Sequence, residues 1–334
     1  MTGVTFRRLT AKLLVCGLLA ASTVQTARAL DKIKFGMLRS QGQVFVGIDK
    51  GFFAKNGIEV ELVYFRSGAE LVPSLSRGQI DIAATTPGAA LFNALEAGSG
   101  LRIVADYLVH VPGTATHAVM VRKDLAGRVH SAADVKGMTV AITARGQYTD
   151  LAAGEFLKTG GLTTKDVRLV NMPYPDMVAA FRGKSIDVAM LAEPFITNVI
   201  EQNLAVRLVN HADYMPNLDL GVVMYGERLE GKDRDLGVRF MRGFIEAMKF
   251  TLAAHKDPAL RKEYAQIMQK YLPLPNPEMH ERVALPGARP DPTVDRAQLG
   301  WQLRYYQEEG LVPKPPKIDA IVDDGFVKQA TAHP

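Results

Sequence analysis

The stretch Arg77-Gly78-Gln79-Ile80-Asp81-Ile82-Ala83 returns, with one residue inserted, as Arg182-Gly183-Lys184-Ser185-Ile186-Asp187-Val188-Ala189. Each copy follows a helical stretch (69–77 and 176–182) and runs into a short apolar strand. Each is then followed by a proline, Pro87 or Pro194, that opens a helix, where its missing N–H does no harm. The echo extends upstream. Lys50-Gly51-Phe52-Phe53-Ala54-Lys55-Asn56-Gly57-Ile58-Glu59-Val60-Glu61-Leu62 reads as a helix end, a glycine stop and an alternating strand. Gly154-Glu155-Phe156-Leu157-Lys158-Thr159-Gly160, ahead of a strand at 166–171, repeats that order. Shared element order and punctuation recurring about a hundred residues apart predict two similar α/β lobes, not a short-period solenoid. Alternating strands and helices imply mostly parallel sheets covered on both faces.

The spacing predicts strands at 33–38, 58–65, 80–84 and 101–108 in the first lobe, with helices over 43–56, up to Gly78, and after Pro87. In the second it predicts a strand at 138–143, a helix running to Lys158 and the strand at 166–171. Segments 119–122 and 221–225 bracket the second lobe and read as two hinge strands. Long helical stretches follow at 234–255, 258–271, 294–309 and 320–330, expected to pack back on the first lobe. Met241, Phe244, Ile245, Met248 and Leu252 fall at helical spacing as a core-facing stripe. The organisation expected is therefore a signal peptide at 1–29, lobe one from 30–115 and 222–334, and lobe two inserted at 116–221.

A chain of 334 residues with 47% hydrophobic and 22% charged residues is large enough for two cores. Its first 29 residues differ from the rest. Basic Arg7, Arg8 and Lys12 precede an apolar run at 13–21 and the small-residue site Ala27-Arg28-Ala29, the order of a secretory signal. Its removal lowers the formal charge from +5 to +1, since four basic and no acidic residues leave with it. The basic pI of the full chain therefore argues neither for nucleic acid nor for a membrane surface as a partner. Cys16 is the sole cysteine and lies in the signal, so disulfides, thiolate catalysis and cysteine metal sites are excluded from the mature chain.

Ligands of open α/β sheets bind beyond the carboxyl ends of the strands, against helix N-termini. Two such lobes joined by hinge strands make a cleft that closes on a solute. Lys50-Gly51-Phe52-Phe53 through Leu62, Ile80-Asp81-Ile82-Ala83, Val121-Arg122-Lys123-Asp124, Asp134-Val135-Lys136-Gly137-Met138-Thr139-Val140 and Ala192-Glu193-Pro194 together resemble the substrate-binding proteins of nitrate/sulfonate/taurine-type ABC importers. That family also includes binders of the thiamine pyrimidine precursor. The resemblance spans residues 33–253, and the C-terminal quarter resembles the family only in being helical. It implies a two-lobed type II periplasmic-binding-protein fold, α/β, with the second lobe inserted in the first. It further implies a monomeric periplasmic protein that needs no cofactor and delivers a small molecule to an ABC permease with its ATPase. A ligand-sensing protein for a membrane signalling partner would use the same cleft. A third alternative is an enzyme resembling the thiamine pyrimidine synthases. Those enzymes share a cysteine-rich motif that this mature chain lacks, and no G-x-S-x-G, phosphate-cradling loop or H-E-x-x-H is present.

The strand-end rule selects loops 39–42, 66–68 and 85–87 in lobe one and 145–148, 173–175 and 192–194 in lobe two. The candidate ligand-binding residues are Arg39, Ser40, Gln41, Arg66, Ser67, Thr85, Thr86, Arg145, Gln147, Tyr148, Tyr174 and Glu193. Arg39 and Arg145 hold equivalent places after the first strand of each lobe, and beside helix N-termini they would clamp an anion such as a sulfonate or carboxylate. Either arginine pointing to solvent is the competing reading. Tyr148, Tyr174 and Phe45 suit a planar ring, although Phe45 reads better as core, and Tyr174 between two prolines is the stiffest of the three. Glu193 suits an amino-bearing heterocycle, or else a rim position. Ser40 and Gln41 suit ligand orientation or plain turn chemistry. His110 and His117 flank the first crossing and read as structural, and the seven histidines show no metal spacing.

Overall fold

A computed structural model of the chain describes residues 29–39, 42–65, 68–111, 116–274 and 276–332. The expected signal peptide, apart from Ala29, lies outside them, as do Ser40, Gln41, Arg66 and Ser67. Lobe one begins with β1 (Asp31–Leu38), α1 (Gln43–Asp49), α2 (Phe52–Lys55), β2 (Ile58–Phe65), α3 (Gly68–Ser76), β3 (Ile82–Thr85), α4 (Ala89–Glu96) and β4 (Arg102–Val109). The single helix expected over 43–56 is two, because Gly51 takes a left-handed φ of 70° that ends one and starts the next. Lobe two contains β5 (His117–Arg122), β6 (Thr139–Ile142), α5 (Tyr148–Thr159), β7 (Arg168–Asn171), α6 (Tyr174–Arg182), β8 (Val188–Ala192), α7 (Phe195–Glu201), β9 (Ala205–Asn210) and α8 (His211–Tyr214). The chain returns through β10 (Asp219–Tyr225), then α9 (Glu227–Glu230), α10 (Arg234–Ala254), α11 (Pro258–Tyr271), α12 (Met279–Arg282), α13 (Arg296–Glu308), α14 (Ile318–Ile321) and α15 (Gly325–Ala332).

The two sheets have matching strand orders, β2-β1-β3-β10-β4 and β7-β6-β8-β5-β9. In each, the first three strands are parallel and the fourth runs antiparallel to both its neighbours. That antiparallel strand comes from the far side of a crossing: β5 leads into lobe two, and β10 leads back into lobe one. The expected hinge strands are therefore corrected. Segment 119–122 lies inside the second sheet and 221–225 inside the first, and the chain crosses between β4 and β5 and between β9 and β10. Strand β10, which pairs with β4, starts at Asp219. Strand β9 went unrecognised in the sequence pattern.

The repeated aspartate now has a physical reason. Asp81 Oδ2 accepts the Lys34 backbone N–H at 2.8 Å, and Asp187 Oδ2 accepts that of Thr139 at 2.9 Å. Arg228 reaches Asp81 at 3.2 Å, as Arg122 reaches Asp187 at 2.7 Å. Both carboxylates thus tie down the amino end of a central strand, away from the cleft. The motif is a sheet fastener.

Every residue of β3, β6, β8 and β10 is buried, as expected of inner strands covered on both faces. One core packs the first sheet against α1, α10, α11 and α15, with Phe240 stacked between Phe35 and Phe53 at 5.8 and 4.8 Å. The α10 stripe of Met241, Phe244, Ile245 and Met248 is buried there, with Leu252 packed at its edge. A second core packs the second sheet against α6 and α7. A third runs without interruption from α3 and α4 through α5 to Leu299, Leu303, Tyr305 and Tyr306 of α13. Helix α13 therefore packs on both lobes, where the sequence suggested lobe one alone.

Candidate functional site

The carboxyl ends of β2, β3 and β6 meet. The backbone N–H of Ala89, opening α4 in lobe one, donates to the Gly146 carbonyl of lobe two at 2.8 Å. A Cβ built on Gly68 would lie 2.9 Å from both Thr85 Oγ1 and Gln147 Oε1, so the Gln147 carboxamide sits over the start of α3 beside the Thr85 hydroxyl. Thr85 is buried and Thr86 half-buried, and the Thr85 hydroxyl leans on the Thr86 carbonyl at 3.5 Å. Gln147 is the N-cap residue of α5 in extended conformation and makes no capping bond with its side chain. Its amide is free to face the other lobe.

The expected pair of arginines is not brought together as a clamp. Arg145 donates to Asp150 Oδ1 at 2.5 Å and to Glu309 Oε2 at 3.0 Å. Asp150 is fully buried, and its second oxygen accepts the Gly146 backbone N–H at 2.8 Å. Burial pushes the Asp150 carboxyl up, and Gly146 and Arg145 pull against that. The Arg145 charge is thus spent on a buried carboxylate that shapes the 145–148 loop. Arg39 is exposed, with its guanidinium 4.3 Å over the Tyr64 ring.

The aromatic candidates separate as well. Tyr174 opens α6 and leans on Phe195, ring centroids 5.7 Å apart at 32°, and burial raises its phenol. Phe45 is wholly buried and stacks on Tyr271 at 5.0 Å, a core residue. Glu193 accepts from Thr197 through both its backbone N–H (3.1 Å) and its hydroxyl (3.0 Å). It thereby fastens the first turn of α7, and burial raises its pKa.

Tyr148 belongs to a cluster that the sequence did not reveal. Its hydroxyl lies 2.6 Å from His211 Nδ1 and 3.0 Å from His110 Nε2, and His117 packs edge-on against its ring at 5.3 Å. These histidines come from the end of β4, the start of β5 and the start of α8, so they line both crossings. His110 and His117 read singly as structural, and nothing in the spacing of His211 joined it to them. Burial depresses all three imidazoles, His110 to about 4, His117 to about 3 and His211 well below its ordinary value. Among the described residues no group of three or more His, Cys, Asp or Glu is arranged to hold a metal ion. A second unforeseen residue is Gln43, buried at the start of α1 with its amide donating to the Tyr107 carbonyl at 2.9 Å.

The described site brings neutral hydrogen-bonding groups, Thr85 and Gln147, together from the two lobes, and the Tyr174–Phe195 ring pair lies within lobe two. No helix among the described residues is long and apolar enough to cross a membrane.

A family model described as the NMT1-like family matches residues 30–269. A protein of Brachyspira hyodysenteriae, named as an ABC transporter periplasmic binding protein, is 26% identical over 204 residues, covering 58% of this chain and 57% of that protein. Relatives from Brucella are 26% identical over 173 residues, 50% of their own length, so the chain spans about half the length of the curated relatives it matches. Among solved structures, the alkanesulfonate-binding protein SsuA of Xanthomonas axonopodis pv. citri, bound to MOPS, superposes with a TM-score of 0.71 at 18% identity, covering 87% of this chain and 98% of that one. The nitrate-binding protein NrtA of Synechocystis PCC 6803 superposes at 0.74 and 16%, covering 91% and 89%. The desulfurization enzyme DszB superposes at 0.64 and 14%, covering 90% and 99%. Such identities establish a shared fold.

Proposed function

The chain belongs to the NMT1-like family, and on that footing we propose that it is the exported, periplasmic solute-binding component of an ABC importer. It captures a small organic ligand between two lobes and presents the closed form to a membrane permease. The observation that carries this reading is the meeting of strand ends from both lobes at Ala89, Gly146 and Gln147. That is where an open α/β sheet places a ligand, and both links between the lobes are short enough to act as hinges.

The ligand proposed is planar and polar, and any acidic substituent is secondary. Tyr174 with Phe195 supplies the aromatic wall, while Thr85 and Gln147 supply neutral hydrogen bonds from opposite lobes. A bare inorganic anion finds less here, because Arg145 is already engaged by Asp150 and Glu309. Of the candidate contacts, Arg39, Thr85, Thr86, Gln147 and Tyr174 are retained. Ser40, Gln41, Arg66 and Ser67 complete the proposed set on the lobe-one loops.

A thermal-shift panel on the chain from residue 30 onward tests this, with alkyl sulfonates, aromatic carboxylates, nitrate and aminopyrimidines as probes. A ligand that binds only the native state raises the melting temperature with concentration. Ring-bearing probes are expected to shift it and nitrate is not. A shift with nitrate alone would overturn the proposed ligand class, and no shift with any probe would overturn the binding reading for these classes.

A further inference from the structure

We propose that the Tyr148 hydroxyl is a latch joining the lobes at their hinge, and that Tyr148, His110 and His211 position the cleft instead of touching the ligand. Tyr148 is the first residue of α5 in lobe two, directly after Gln147. His110 follows the last residue of β4 in lobe one, and His211 opens the second crossing. One hydroxyl therefore bonds to both links at the point where lobe two's ligand loop begins. All three side chains are buried, with exposures of 3%, 1% and 0%.

Donor and acceptor counting gives the latch a single direction. The Met215 carbonyl, 3.1 Å from His110 Nδ1, only accepts, so Nδ1 carries the proton. A neutral His110 then has a bare Nε2, which accepts the Tyr148 O–H. The Tyr148 oxygen, its one proton committed, accepts from His211 Nδ1–H. The chain runs from His211 through Tyr148 and His110 to the Met215 carbonyl, and it leaves His211 Nε2 bare and without a partner in the buried cluster. Proton uptake on His110 Nε2 turns that acceptor into a donor. With His211 held as the Nδ1–H tautomer, beside the Ala118 backbone, two donors then face the phenolic oxygen, and its own proton is left without a partner. Acid therefore opens the latch.

The rings packed around it are uncharged. His117 packs on the rings of His110, Tyr148 and His211, and Tyr214 on that of His211. Tyr174 and Tyr306 lie within electrostatic reach of the Tyr148 hydroxyl, and their phenols are raised by burial. The carboxylates in the neighbourhood are Asp150, held by Arg145 and Gly146, and Glu155 and Asp213, which act on Tyr214. Burial holds the imidazoles neutral down to about pH 4 for His110, so the latch is shut at neutral pH.

The inference rests on the lobes moving about the crossings, as the proposed function requires, and its test uses no small molecule, so the two readings fail separately. Small-angle scattering is recorded for the wild type and Tyr148→Phe at pH 7.5 and pH 4, with far-UV circular dichroism to confirm folding. The wild type is expected to expand on acidification. Tyr148→Phe, which keeps the ring and loses only the hydroxyl, is expected to be already expanded at pH 7.5 and to show no acid step. A variant with the wild-type radius of gyration at pH 7.5, or one that keeps the acid step, overturns the latch. Should the variant not fold, nitrogen-15 spectra of the wild-type imidazoles decide. Nδ1–H tautomers at both His110 and His211 at pH 7 support the proposal, and an Nε2–H tautomer at either overturns it.

Discussion

Arg145 carries two tasks that a sequence cannot separate, attracting an anion and neutralising a neighbour. Asp150 lies two residues beyond Tyr148, fully buried, where an ionised carboxyl is costly unless paired. The Arg145 guanidinium, 37% exposed, neutralises it at 2.5 Å. Arg145→Ala therefore strands a buried acid and is expected to lower stability by about 1–3 kcal/mol in chemical denaturation, the cost of an unsatisfied buried polar group. The double variant Arg145→Ala/Asp150→Asn should recover much of that loss, since the amide carries no charge to strand. A ligand-contact role alone predicts the opposite pattern, with stability unchanged and the double variant no better than the single. The Gly146 N–H would keep an acceptor in the carbonyl oxygen of the introduced carboxamide, so the loop has a route to survive the exchange.

At the scale of elements, much of the fold was legible because punctuation is local chemistry. Prolines, glycines and alternating apolar residues located every strand but β9 and the longer helices, while the four-residue helices α8, α9 and α12 were not foreseen. What eluded the pattern is what depends on distant partners. Strand β9 is six residues, Ala205–Asn210, with an exposed Arg207 in its middle, and only pairing with β5 makes it a strand. The exchange of antiparallel strands between lobes is invisible to periodicity for the same reason. The histidine cluster joins positions 110, 117 and 211, and no local spacing announces that 110 meets 211. Even the shared punctuation shifts under close inspection. The left-handed residue after the first repeat's helix is Gly57, but after α5 it is Gly161, with Gly160 at φ −102°. Gly160 is needed for another reason: a Cβ there would lie 2.3 Å from the Ala133 nitrogen and 2.6 Å from the Ala132 carbonyl carbon. Both are backbone atoms that cannot swing aside. Gly160→Ala is expected to cost about 1–3 kcal/mol through forced displacement, read as a lowered denaturation midpoint. Gly161→Ala should also destabilise, through its φ of 71° and not through contact, since no atom would lie within 4 Å of its Cβ.

At the scale of the whole molecule, contacts between the two lobes fall at different depths and respond differently to opening, among them the Arg282–Glu201 ion pair between α12 and α7. On the hinge side is the Tyr148 network. Over the cleft, α13 reaches lobe two through the Tyr305 hydroxyl on the Asp150 carbonyl (3.0 Å) and lobe one through the Tyr306 hydroxyl on the Pro87 carbonyl (3.2 Å). At the ligand end the contact is backbone on backbone, Ala89 N–H to the Gly146 carbonyl. Gly88 makes that approach possible, for a Cβ at this position would stand 2.8 Å from the Gly146 oxygen and 3.2 Å from Gln147 Nε2. Its φ of −144° and ψ of 169° suit any residue, so Gly88→Ala introduces no local strain and acts only when the lobes meet. The closed form should lose about 1–3 kcal/mol, while each lobe keeps its fold because the clash disappears on opening. By population-shift arithmetic, a ligand that requires closure should bind about five- to 150-fold more weakly. The variant's melting temperature without ligand should stay near that of the wild type, its radius of gyration should exceed the wild type's, and the thermal shift from any panel hit should shrink. Wild-type affinity together with wild-type compaction would mean that ligand capture does not need the lobes to meet at Gly146.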